Sequence, residues 1–411
     1  MRSTRAVIAA AAALSLTLTG CSAAAGGDKS GKTGLVIWAD DVRGKVLKPF
    51  AEEFGKANGI KVKVETHSPD DLQKDFIDAS QQNEGPDVLV AAHDWIGNLV
   101  QNGTIDPVQL SQKQKDALDP VTLKAVTYDG KIYGTPYARE NLALIRNTKL
   151  APKAPKTIED LTSTGRKLVA KHKAKDVLSV QVGDKGDPYH MYPFFASGGG
   201  YLFGTNKSGE YDPSDLGLSK PGAVAAFKKI AKLGADKVMK TSINADNAIP
   251  LFTEGKTPYL ISGQWALPKV KKAGFDYEVS AIPGFSGGKA ATPFVGVQAF
   301  YAASKGKHKT MASEFVTNYA STDKLSKALY KADPRIPAST SVYQSVSKSD
   351  PDVAAFLAAA KGGDILPSIP EMSAVWDPFG KAEAAVLDGK DPTKSIKDAA
   401  KSISDAIKKN K

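Results

Sequence analysis

The chain has 411 residues, 42% of them hydrophobic and 24% charged, so it can bury a sizeable core and is neither a disordered tail nor a fibrous repeat. Its formal net charge of +11 comes from lysines spread along the whole length. No basic stripe carries interleaved aromatics, which argues against nucleic-acid binding, and the single cysteine rules out an intrachain disulfide.

The chain opens on a targeting pattern. Arg2 and Arg5 form a positive segment, residues 6–18 are a short apolar run, and Leu18-Thr-Gly-Cys21 follows. That run is too short to remain in a bilayer as a spanning helix, which predicts a cleaved secretory signal over residues 1–20. Leu-Thr-Gly-Cys resembles the lipobox of bacterial lipoproteins. The resemblance implies a lipidated Cys21 as mature N-terminus, anchoring an extracytoplasmic protein to the cell membrane. Cleavage removes two arginines and no acid, lowering the net charge by two. The Gly-rich stretch 21–33 suits a flexible tether. Within it, Gly26-Gly-Asp-Lys-Ser-Gly31-Lys32-Thr33 has phosphate-loop spacing, but no strand precedes it and an apolar run follows where a helix should start. The match is a coincidence.

Beyond the tether the chain exceeds what one core usually fills, which predicts two domains. Residues 35–38 read as a strand, and Val46, Leu47, Phe50 and Phe54 recur at helical spacing up to the stop signal Asn58-Gly59. Ile60, Val62 and Val64 alternate with lysines as a second strand, 70–82 is a helix, and 88–92 is a third strand. This β-α-β-α-β order is the pattern of a doubly wound parallel sheet. The stretch Gly85-Pro-Asp-Val-Leu-Val-Ala-Ala-His-Asp-Trp-Ile-Gly97 organises it: an uninterrupted apolar strand, buried on both faces, runs into His93, Asp94 and Trp95. Ligands of open α/β sheets sit beyond such strand ends. The rival reading is an ordinary connection, with Asp94 capping the next helix and Trp95 packed on the rim.

Further on, 128–136 reads as a hairpin turn and short strand, and 138–147 as an extended run between two sets of elements. Helices are expected at 158–171, 192–196 and 223–233, and strands at 177–182, 257–261, 279–282 and 294–302. Met311, Phe315 and Tyr319 mark a helix, Asp333-Pro-Arg-Ile-Pro337 a break, and helices at 353–360, 381–387 and 396–407 close the chain. Two interleaved α/β halves fit this order.

No metal or cofactor motif is present. The five histidines are scattered without an H-x-x-x-H pair, no calcium loop or dinucleotide fingerprint occurs, and no nucleophile elbow is found. What remains is a set of aromatics and charges at strand ends. Trp38, Trp95, Trp265 and Trp376 all fall at or next to predicted strand ends or polar loops, among Asp40, Asp41, Arg43, Asp94, Glu140 and Asp187. Singly, each charge reads as a helix cap, surface ion pair or loop residue. Together they fit a carbohydrate cleft, because sugars offer flat apolar faces and hydroxyls that bond best to ionised groups.

The chain resembles the maltose/maltodextrin-binding branch of the extracellular solute-binding proteins that serve ABC importers. The likeness runs from Leu35 to about Ala400 through Leu35-Val-Ile-Trp38, Gly59-Ile-Lys-Val-Lys-Val64, Gly85-Pro-Asp87, Ala92-His-Asp94, Asp187-Pro-Tyr189, Gly199-Gly-Tyr201, Pro293-Phe-Val-Gly-Val297 and Pro370-Glu-Met-Ser-Ala-Val-Trp376. It implies a type II periplasmic-binding-protein-like fold: two α/β lobes, each a mainly parallel sheet flanked by helices, with a hinge between. Lobe one would hold 34–138 plus 299–330, and lobe two 139–298 plus 331–411. It also implies a monomer that closes on its sugar and is recognised by membrane permease subunits. The implied ligand contacts are Asp41 and Arg43, with Asp40 beside them; Ala92 and Asp94; Glu140; Asp187 and Tyr189; and Trp265 and Trp376.

Departures fall at Ala91 and Trp95, where the family has Trp and Arg, and at Asp377 and Gly380, where it has Tyr and Arg. Trp95 is expected to replace the lost platform and Phe379 to compensate near Trp376. Another oligosaccharide, or a secreted glycosidase using Asp94 and Glu140, are the rival readings.

Overall fold

The computed structural model describes residues 33–409. The expected signal 1–20, Cys21 and all but the last residue of the tether lie outside the described residues. Two sheets organise the rest. The larger runs Ile336–Pro337, Gly134–Glu140, Gly296–Ala303, Val88–Ala92, Thr33–Asp40, Lys61–His67 from edge to edge, with Ile105–Asp106 also paired to Gly296–Ala303. The smaller runs Tyr277–Ser280, Ala143–Asn147, Tyr259–Ser262, Ser179–Val180.

The first three strands pair in parallel, as the β-α-β-α-β order requires. Elsewhere the expectation of mainly parallel sheets is corrected. Gly296–Ala303 is antiparallel to both Val88–Ala92 and Gly134–Glu140, and Ala143–Asn147 is antiparallel to both its neighbours. Both sheets are mixed. The cause is topological: Gly296–Ala303 follows the last strand of the smaller sheet and enters the middle of the larger one reversed. The local apolar pattern of a buried strand carries no sign of its direction.

The larger sheet is packed on both faces. Ile37, Val90 and Phe300 face one way, toward Leu47, Phe54 and Phe315, while Trp38, Leu89, Ala91 and Tyr301 face the other, toward Phe76 and Ile96. Helix Asp41–Asn58 forms where expected because Leu47, Ala51 and Phe54 share one face. The smaller sheet is likewise enclosed, by a core around Leu144, Tyr259, Phe195 and Phe227 and another around Ile145, Leu260, Phe252 and Phe356. Each fully buried side chain of this size contributes about 1.5–3 kcal/mol.

The chain passes between the sheets repeatedly. Gly134–Glu140 ends in the larger sheet and Ala143–Asn147 begins in the smaller. Expected switch points at 138/139 and 298/299 fall inside paired strands, since Glu140 pairs with Gly296 and Ala138 with Gln298. The segment read as a break at 333–337 includes a short edge strand, Ile336–Pro337, paired to Arg139 and Ala138. Proline tolerates that edge position, where its missing N–H costs the ladder little.

Candidate functional site

Strand Val88–Ala92 delivers the turn His93–Trp95. Ala91 points into the core, which is why no ligand platform is built there. His93 is fully buried. Its Nε2 lies 2.9 Å from the Leu366 carbonyl, and its Nδ1 accepts the Val297 N–H at 3.1 Å. That pair of partners requires a neutral ring protonated on Nε2, and burial pulls its pKa down to about 4. His93 is a staple, not a ligand group. Asp94 behaves differently. It is half-buried, caps neither adjoining helical turn, and burial pushes its carboxyl up to about 7. Trp95 lies half-buried against the same core, and Ala92 sits opposite Gln298.

At the end of the first strand no loop intervenes: Thr33–Asp40 runs straight into helix Asp41–Asn58. Asp40 is the cap, its Oδ1 accepting the N–H groups of Val42 at 2.9 Å and Arg43 at 3.1 Å. Asp41 is exposed, and Arg43 is buried. Arg43 Nη1 lies 2.6 Å from Asp40 Oδ2, its Nε donates to the Tyr137 hydroxyl at 2.9 Å, and its Nη2 is 3.2 Å from Asp333 Oδ2. Burial alone would weaken Arg43 as a cation, but Tyr137, Asp40 and Asp333 outweigh it and hold its pKa above the usual arginine value.

Asp333 Oδ2 also accepts Arg335 Nε at 2.7 Å, and Arg335 Nη1 is ion-paired to Glu140 Oε2. Glu140 Oε1 accepts Gln298 Nε2 at 3.2 Å. Asp40, Arg43, Asp333, Arg335 and Glu140 thus form one unbroken chain of charges, each side chain only 11–14% exposed. Charges this secluded persist only when paired.

From the smaller sheet, Tyr259–Ser262 leads through Gly263 to Trp265. A Cβ at Gly263 would lie 2.0 Å from the indole, so glycine lets the ring fold back over its own backbone. The rings of Tyr189 and His190 stand 6.4 and 6.1 Å from that of Trp265, and the Arg335 guanidinium carbon 5.3 Å from it, within cation–π reach.

Asp187 caps helix Pro188–Gly198, its Oδ1 accepting the His190 N–H at 3.0 Å. Its Oδ2 meets His190 Nδ1 at 2.9 Å and Gln181 Nε2 at 2.7 Å. Burial opposes ionisation of Asp187, yet His190 and Gln181 hold its pKa below the usual carboxylate range. Next to it the Tyr189 hydroxyl is buried without a partner, and its pKa is raised by burial first and then by Asp94. The charge of Asp94, at the end of a strand of the larger sheet, thus acts on a hydroxyl presented from the side of the smaller one. Trp376 opens helix Trp376–Leu387, half-buried against the core of the smaller sheet. Phe379 cannot compensate there as expected, because it is fully buried between Phe195 and Phe227.

Tyr189, Trp265, Arg335 and Glu140 thus follow one another as neighbours, two aromatic faces, a cation and a carboxylate, and the charge of Asp94 acts on the unpartnered Tyr189 hydroxyl at one end. Among the described residues no cluster of His, Cys, Asp and Glu could hold a metal ion. The profile described as bacterial extracellular solute-binding protein matches residues 50–355. The chain belongs to that family. This solute-binding protein is 31% identical to a maltooligosaccharide ABC transporter solute-binding lipoprotein of Streptococcus pneumoniae, covering 99% of this chain and 97% of the other. It is 30% identical to a maltodextrin-binding protein of Bacillus subtilis, covering 98% and 96%, and 29% identical to a galactooligosaccharide-binding protein of the same organism, covering 97% and 96%. Proteins of this family bind their solutes without transforming them, so Asp94 and Glu140 are not a glycosidase pair.

Sequence reasoning about the solute-binding protein missed Asp333 and Arg335. Their stretch holds two prolines and no apolar period, so it reads only as a break. A groove of ≈ 500 Å³ between helices Ile158–Ala170 and Pro221–Ala235, floored by Ile158, Leu233 and Phe285, contains none of the predicted site residues.

Proposed function

We propose that this solute-binding protein captures maltose or maltodextrins in a cleft between two lobes, one built on each sheet, and delivers them to the permease of an ABC importer. A lipidated Cys21 would hold it at the outer face of the cell membrane. One observation supports the reading: Tyr189 and Trp265, packed against the core of the smaller sheet, are followed by Arg335 and then by Glu140 of the larger sheet, so a ligand stacked on Trp265 would have groups of both sheets within reach. An aromatic face beside hydroxyl-bonding groups is the chemistry a sugar ring requires. The maltooligosaccharide and maltodextrin binders among its relatives support the choice of substrate.

Asp40, Asp41, Arg43, Ala92, Trp95, Asp187 and Trp376 belong to the same proposal with unequal roles. Asp41, Ala92, Trp95 and Trp376 are accessible enough to touch ligand, whereas Asp40, Arg43 and Asp187 hold backbone and neighbours in place. A second reading, a different oligosaccharide, is favoured by the galactooligosaccharide-binding relative and by Ala91, whose inward methyl leaves no platform at that position.

Titrating intrinsic tryptophan fluorescence with maltotriose, maltoheptaose, raffinose and a β-galactotriose decides between them. Trp265→Ala and Trp376→Ala should each weaken maltotriose binding about tenfold or more, ~1.4 kcal/mol, because a stacked aromatic dominates such sites. Unchanged calorimetric affinity in both variants removes the assignment.

A further inference from the structure

Arg335 is the cation of the gathered site, and the protein leaves one of its nitrogens unused. A guanidinium carries five N–H donors in a fixed plane. Nε is given to Asp333 at 2.7 Å, and Nη1 is ion-paired to Glu140. Among the described residues Nη2 donates to no protein acceptor. Arg43, the other arginine of the chain of charges, also has an Nη2 without a hydrogen bond, but that nitrogen is buried 3.2 Å from Asp333, where no ligand reaches it.

The plane of Arg335 is held on three sides. Asp333 and Glu140 clamp two of its nitrogens, and the Trp265 ring lies 5.3 Å from its central carbon. Ile336–Pro337, directly after it, is pinned to the larger sheet at Arg139 and Ala138. Arg335 therefore has little freedom left to lose when a ligand arrives, and a charged donor fixed in advance binds a hydroxyl more tightly than a mobile one. It also stands between the two predicted contact sets, ion-paired to Glu140 of one sheet and within cation–π reach of Trp265 from the other.

We propose that Arg335 is a ligand-contacting, specificity-determining residue, presenting its free Nη2 N–H groups to one hydroxyl of the sugar stacked on Trp265. This rests on the oligosaccharide reading above, and deepens it by naming a donor beside the acceptor Glu140. A hydroxyl bridging the two would donate to Glu140 and accept from Arg335, so a site with both discriminates the position of that hydroxyl better than either alone.

Arg335→Lys keeps the charge near Glu140 and Asp333 but loses the planar fork. Calorimetry with the tightest sugar of the panel, at a temperature where circular dichroism shows the variant still folded, should show binding at least about tenfold weaker in this variant. Repeated with a monodeoxy series of that sugar, the loss should vanish for the single analogue lacking the partner hydroxyl. Equal affinity of wild type and variant, or one uniform loss across the deoxy series, would show that Arg335 only braces the crossing segment and would overturn the inference. If Trp265→Ala loses binding while Arg335→Lys does not, the proposed function stands and only this inference falls. If no sugar of the panel binds the wild type, both fall. Should Arg335→Lys not fold, ¹⁵N spectra of the wild-type guanidinium replace it: its Nη signals should shift and exchange more slowly at saturation, and an unchanged spectrum overturns the proposal.

Discussion

His93 and Asp94 are neighbours with opposite fates. The imidazole is used up inside the fold, bonded on both nitrogens and neutral. The carboxyl beside it has no such partners, and burial raises its pKa from 3.8 to about 7. In the unfolded chain Asp94 ionises near 3.8, so between about 4 and 7 the folded state binds the extra proton, and this group's contribution to stability falls as pH rises through that window. Binding runs the other way. A sugar hydroxyl donates to the ionised form, so affinity should climb as pH passes from about 5.5 to 8, by up to tenfold per unit on the acid side of 7. Calorimetry across that range, in buffers of differing ionisation enthalpy, should detect proton release on binding. Asp94→Asn should flatten the profile; a wild-type profile that is already flat would remove Asp94 from the contact set.

The element that presents Tyr189 is set by backbone packing rather than by the residues that name the motif. Asp187 caps Pro188–Gly198, and the loop before it is pressed against helix Trp376–Leu387. Gly186 has φ +73°, and a Cβ there would lie 1.9 Å from the Gly380 carbonyl oxygen. An arginine at 380 is thereby excluded, because a Cβ on Gly380 would itself meet Lys185 O at 2.7 Å. The departure at 380 is thus matched to the loop that faces it. Gly186→Ala should lower stability by about 1–3 kcal/mol in urea denaturation. It should also weaken maltotriose binding by moving Asp187 and Tyr189 together. Loss of stability with unaltered affinity would mean that the loop is not part of the site.

At the scale of the whole molecule, the crossings matter most. Gly134–Glu140 leads to Ala143–Asn147, Gly296–Ala303 returns, and the 333–337 segment adds a third passage carrying Asp333 and Arg335. The predicted contacts thus lie on both sides of these passages, with Glu140 and Arg335 on them. A ligand touching both sheets should favour the arrangement that brings them closest. Small-angle scattering should show the radius of gyration fall on saturation with maltotriose, and Trp265→Ala should need correspondingly more sugar for the same change. An unaltered scattering curve at saturation would exclude closure as part of binding.

Much of this protein was decided locally. Apolar runs without polar interruption placed the buried strands, helical spacing placed Asp41–Asn58, and turn residues placed the hairpin near Asp129, because each depends on neighbours a few residues away. The rarity of tryptophan, and its position at strand ends, marked Trp265 before any contact was known. Strand direction could not be read in the same way, since the pattern of 296–303 is equally compatible with either sense. Nor could the partners of Arg335, which draws Asp333 from two residues away but Glu140 and Trp265 from distant segments. Propensity and periodicity are short-range properties of the chain. Pairing of buried charges and the unpartnered hydroxyl of Tyr189 are consequences of which distant segments meet, and only the tertiary structure brings those together.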